Sequence, residues 1–145
     1  MTRTVTFVIP AMLCWQRQKD PITGTLKKAK QLPRVPKLVG YYTNGKQPNF
    51  DRAREYADWK AHVLKFVPVE LRGAGANTRE HCVRVDVVCY FPAGTHSDVE
   101  NVRKGVVDTL FPNGDRWVYG YHHFPLYDAA HPRVEVAVTL PGRLL

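Results

Sequence analysis

The 145-residue chain reads as an α+β protein: one domain, residues 1–145, with two helices packed on a small mixed sheet. Two patterns predict this. Residues 82–91 and 133–140 alternate apolar and polar side chains with a period of two, the imprint of a strand with one buried face. Between them, Val99, Val102, Val106 and Leu110 fall on one stripe of a helix turning about 100° per residue, while Glu100, Lys104 and Asp108 share another. The length suffices for one ordinary hydrophobic core, and no linker or internal repeat divides it.

Taken in order, Thr4 to Ile9 sets Val5, Phe7 and Ile9 against Thr4, Thr6 and Val8, a first strand that Pro10 ends. The apolar run from Val5 to Trp15 is broken by Pro10 and has no small-residue cleavage site before Gln16, so a strand is expected there rather than a secretory signal. From Ala11 to about Phe50 the sequence is rich in Lys, Arg, Pro and Gly and lacks sustained periodicity. A long loop is expected there, carrying Lys19, Lys27, Lys28, Lys30, Arg34 and Lys37. Within it, Lys37 to Tyr42 followed by Asn44-Gly45 suits half of a small hairpin. Trp15, Tyr41 and Tyr42 lie among these cations, either anchoring the loop or stacking on unpaired bases.

Phe50 to Phe66 has the mixed three- and four-residue spacing of a helix, and Pro68, Gly73 and Gly75 place a turn or loop after it. Cys82 to Phe91 is a strand with Val83, Val85, Val87, Cys89 and Phe91 on one face. The segment His96 to Phe111 is the central amphipathic helix, with Ser97 at the N-cap and Glu100 completing a capping box. Phe111-Pro112-Asn113-Gly114 turns into a strand expected over Asp115 to Tyr121, and Arg133 to Leu140 closes the chain as a strand.

Composition narrows the partner. With 21 Lys+Arg against 13 Asp+Glu the formal charge is +8, which suits a polyanion, nucleic acid above all. Cys14, Cys82 and Cys89 form no C-x-x-C, which implies a reducing compartment. No stretch approaches the roughly 18 apolar residues of a membrane span. His122-His123 lacks structural-zinc spacing, and neither a glycine-rich phosphate loop nor G-x-S-x-G is present.

Asp98, Glu100, Asn101, Lys104, Asp108 and Leu110, in SDVENVRKGVVDTLF, resemble the signature of the RusA family of Holliday junction resolvases. That signature is an acid-x-acid-Asn group, a Lys four residues beyond the second acid, and an Asp-x-Leu on the same helix. The chain departs from it at Glu100, where the family usually has Asp, and at Ser97, where Pro is common. Gly114-Asp115-Arg116-Trp117-Val118 has the shape of the family's third-acid segment. Asp115 is favoured as that acid, with Asp128 as its rival and a plain turn role for Asp115 as the remaining alternative. The family also resembles this chain at the start, with a strand ending in Ile-Pro before a basic segment near the substrate; Ala11 stands where Gly is common.

The resemblance implies a RusA-like fold and a Mg²⁺-dependent endodeoxyribonuclease, Mn²⁺ being an acceptable substitute, that resolves four-way DNA junctions as a homodimer. It implies metal ligation by Asp98, Glu100 and Asp115, charge compensation at the phosphate by Lys104, and DNA contact by Lys19, Lys27, Lys28, Lys30 and Arg34. The setting it implies is the bacterial cytoplasm, with the gene bacterial or phage-borne. The competing expectation is a non-catalytic basic nucleic-acid binder whose acids only cap and bridge the central helix. Convergence of Asp98, Glu100 and Asp115 on an exposed surface separates the two.

Overall fold

The computed structural model describes residues 2–19, 22–24, 26–34, 42–43, 47–48, 50–72, 77–94 and 96–141, with the backbone alone over 13–19, 26–34, 42–43, 47–48 and 50–53. The main sheet is mixed and runs β1 (Arg3–Pro10), β9 (Arg133–Leu140), β6 (Val83–Phe91), with β7 (Val118–Tyr119) and β8 (Leu126–Tyr127) both laid along the outer edge of β6. β9 is antiparallel to both of its neighbours, whereas β7 and β8 run parallel to β6. Parallel neighbours need a crossover, and the helix α2 (Val99–Leu110) supplies it between β6 and β7. This is the α+β architecture expected from the sequence.

Alternation decides which face of the sheet is covered. Val83, Val85, Val87, Cys89 and Phe91 of β6 and Val134, Val136 and Val138 of β9 are buried. They pack in one core with Val99, Val102, Val106 and Val107 of α2 and with Trp59 and Val63 of α1 (Phe50–Phe66). The opposite face presents Thr4, Thr6, Val8, Arg84 and their neighbours, which are exposed or only partly buried. Each buried valine is worth about 1.5–3 kcal/mol, against about 0.3–0.5 kcal/mol for an exposed i,i+4 ion pair. Packing therefore holds α2 in place, and its charged stripe is left available for other work.

Four departures from the sequence expectations stand out. The basic stretch after Pro10 is largely an antiparallel ribbon of β2 (Met12–Lys19) and β3 (Leu26–Arg34) rather than a long loop. Its sequence lacks the one-face alternation that burial imprints, and a register shift between Gln16 and Gln18 interrupts what period there is. Lys19, Lys27, Lys28, Lys30 and Arg34 all lie on these two strands. Second, β4 (Tyr42–Thr43) pairs with β5 (Gln47–Pro48), so the described residues hold a strand pair on both sides of the expected turn; residues 37–41, Asn44 and Gly45 lie outside the described residues. Third, the strand expected over Asp115 to Tyr121 shortens to β7. Fourth, β8 extends the same edge unannounced, with an isolated bridge from His122 to Val87 between them. Gly120 marks the interruption: its φ is +135°, and a Cβ there would overlap the Val85 carbonyl.

Candidate functional site at the ends of the central helix

β6 delivers the chain to the entrance of α2. The His96 ring stacks on buried Phe91, with centroids 3.9 Å apart and planes 9° from parallel, and its Nε2 lies 3.0 Å from the Tyr127 hydroxyl. His96 Nδ1 is 2.8 Å from the Ser97 carbonyl, which only accepts, so Nδ1 carries a proton. Ser97, expected to cap the helix, is instead buried at 3% exposure. Asp98 is the N-cap: its backbone is extended, at φ −62° and ψ 131°, its Oδ1 accepts from Glu100 N at 2.9 Å, and its carbonyl accepts from Val102 N at 3.2 Å. An aspartate performs this task as well as a serine, and both acids gain from the positive end of the helix dipole.

Asp98 and Glu100 are exposed, and among the described residues neither has a Lys, Arg or His within ion-pair distance. The cap occupies one oxygen of Asp98 and leaves the other. Standing ahead of the first helical turn, Asp98 escapes the divergence that residues two apart would have inside a helix.

The other end of α2 is organised differently. Lys104 Nζ is 3.3 Å from Asp108 Oδ2, and Tyr56 of α1 donates its hydroxyl proton to the same carboxylate oxygen. Lys60 Nζ stands 4.8 Å from the centroid of the Tyr56 ring. Burial first, then the bond and the charge of Asp108, with a smaller effect of Asp115, hold the Tyr56 phenol well above its usual range. Asp115 sits in the turn beyond Phe111, where its carbonyl accepts from Val118 N at 3.0 Å. Asn77 staples that turn, donating to Gly114 O at 2.7 Å and accepting from Trp117 N at 2.9 Å.

Arg103 lies between the two ends. It donates from Nε to Val85 O at 3.1 Å and from a terminal nitrogen to Tyr119 O at 3.0 Å, tying α2 to β6 and β7. Burial lowers its pKa, and the charges of Asp86, Asp115 and Glu100 act against that. Asp128, the rival third acid, is used in its own turn. It accepts from Ala130 N, His131 N and the Arg133 guanidinium, the last at 2.8 Å, and the Arg133 bond is the main reason its pKa falls.

The structure thus sets Asp98 and Glu100 at the helix entrance, joined through the Glu100 N–Asp98 Oδ1 bond, and sets Asp115 past the far end of a helix whose 12 residues span about 18 Å. The expected convergence of the three is absent: among the described residues no three His, Cys, Asp or Glu side chains form a group able to hold a metal ion. The Asp98–Glu100 pair still matches what Mg²⁺ takes from a protein when it keeps several waters and a substrate phosphate, namely one or two carboxylates and no soft ligand. Reading the sequence missed Arg103, Tyr56, Asn77 and His96. Their roles are bonds to main-chain atoms or across elements, which no local spacing encodes.

No model of a known protein family matches the chain, and no characterised protein matches its sequence. Among the described residues no helix is long and apolar enough to cross a membrane.

Proposed function

We propose that the protein is a Mg²⁺-dependent endodeoxyribonuclease selective for four-way DNA junctions, with Asp98 and Glu100 as the residues that would hold the ion. The observation that carries this reading is the pair itself. Two exposed carboxylates stand at one helix entrance without a described cationic partner, in a chain of formal charge +8. When bound, the ion supplies a water of lowered pKa and positive charge to set against the phosphate. The chain's own part is to fix Asp98 through Glu100 N, leaving its second oxygen free, and to present cations to the DNA backbone. Lys104, one turn beyond Glu100, is an exposed cation on the helix, whereas Arg103 is bonded to the Val85 and Tyr119 carbonyls; the bond of Lys104 to Asp108 holds it in reserve. Lys19, Lys27, Lys28, Lys30 and Arg34, along the β2–β3 ribbon, supply phosphate contacts. A two-fold homodimer would match two such sites to the pseudo-symmetry of a four-way junction.

A synthetic junction incubated with the protein in Mg²⁺ or Mn²⁺ should yield paired nicks on opposing strands, and chelation should stop the reaction. Replacing Lys27, Lys28 and Lys30 together by Ala should flatten the slope of log K against log salt by roughly 2.7, about 0.9 per lost phosphate contact. A second reading, a non-catalytic nucleic-acid binder, is favoured by two facts: Asp98 already has structural work as a cap, and Asp115 stands apart. Junction binding with no cleavage in either metal would establish it in place of the nuclease.

A further inference from the structure

The outer edge of the sheet carries a surface that the nuclease reading does not use. From Arg116 to Tyr127 the chain has no Asp or Glu, and it holds Trp117, Tyr119, Tyr121, Phe124 and Tyr127. Tyr119, Tyr121 and Phe124 are 54%, 68% and 69% exposed, an unusual run of bare rings along the chain; Tyr127, 55% exposed, is in register with buried Phe91 and bonded to His96, on the helix-facing side of the same edge. Tyr119 is in register with Arg84, on the sheet face away from the helices; the Arg84 guanidinium lies 4.8 Å from the Tyr121 ring centroid and pairs at 2.7 Å with Asp86, whose other oxygen accepts from Tyr121 N at 2.8 Å. Arg84, Tyr119, Tyr121 and Thr139 line a shallow groove there. Arg116 stands 5.2 Å from the Trp117 ring and has no carboxylate in ion-pair range among the described residues.

We infer that this edge is a stacking platform for an unpaired DNA strand. Two features select that occupant. Exposed rings flanked by the Arg84 and Arg116 guanidinium groups complement bases and phosphates together. A second copy of the chain adding to this edge is disfavoured by the edge itself. β7 and β8 have two residues each and are separated by Gly120 and Pro125, and such broken edges give a poor template for strand pairing. The choice of DNA over RNA rests on the nuclease reading; the stacking surface does not.

The test is the binding of a labelled oligothymidylate, followed by anisotropy in the presence of chelator, so that it is judged apart from cleavage. The parent protein should bind it. Tyr119→Ala, Tyr121→Ala and Phe124→Ala should each weaken binding at least about fivefold, whereas Tyr121→Phe, which keeps the ring, should bind like the parent. All three positions are exposed, and melting curves of the variants check that the fold is kept. Unchanged affinity in the alanine variants overturns the proposal. So does preference for oligouridylate, or a parent dimer that Tyr121→Ala splits into monomers without any loss of DNA affinity. Because no metal is present, failure here leaves the nuclease reading to be decided by cleavage of the junction.

Discussion

The two ends of α2 carry acids on one continuous stripe, Glu100, Lys104 and Asp108 at four-residue spacing, yet they differ in what surrounds those acids. At the C-terminal end Tyr56 reaches across from α1 and, with Lys104, satisfies Asp108. At the N-terminal end Asp98 and Glu100 face solvent, and their described bonding is confined to the cap itself. The same residue types at the same spacing thus serve packing in one place and remain open to a ligand in the other. What decides the difference is whether a second helix crosses over them, a tertiary fact that helical periodicity does not contain.

The largest expected effect that would sharpen this contrast concerns Lys104, which belongs to the stripe at both ends. If it offsets charge on the phosphate, Lys104→Ala slows junction cleavage by about 100-fold at little expense to stability, since its exposed pair with Asp108 is worth only about 0.3–0.5 kcal/mol. Asp108→Ala should leave cleavage near the parent rate, because it removes only the partner that holds Lys104 aside. Equal losses in the two variants, measured in single-turnover assays, would assign Lys104 to the structural end.

Tyr56→Phe comes next. It removes a hydrogen bond to a carboxylate and should lower stability by about 1.5 kcal/mol while cleavage is unchanged. The same residue predicts a pH effect. Its folded-state pKa is raised above the ordinary phenol value near 10, chiefly by burial. Its contribution is therefore fully present below about pH 10 and is lost as the pH climbs from there toward the folded value. Alkaline melting curves should fall more steeply for the parent than for Tyr56→Phe. Smaller still is Asp98→Ala, which deletes the cap and should cost about 1 kcal/mol by chemical denaturation.

Much of this was legible beforehand. The faces of β1, β6 and β9 and the extent of α1 follow directly from periodicity, because each buries one side against a common core. The β2–β3 ribbon was not legible, since its sequence shows no alternation to read. The outer edge was half legible: β7 lay inside the segment expected as a strand, but β8, with Tyr127, lies beyond that segment in a stretch too short to show a period. In the candidate site the pair at the helix entrance was visible as acid-x-acid. The cap passed from Ser97 to Asp98 because Ser97 is buried. The placement of Asp115 depended on where a turn after twelve helical residues would lie, and spacing along the chain does not carry that distance.

The central claim is that the N-terminal end of α2 is the working end, and Asp98→Asn tests it most directly. Asparagine caps a helix as well as aspartate does, so the substitution removes a charged oxygen ligand and leaves the fold intact. Melting temperature and affinity for a four-way junction should match the parent, while cleavage in Mg²⁺ should be lost. A variant that keeps its stability and cleaves the junction at the parent rate would contradict the account, leaving Asp98 as a helix cap and nothing more.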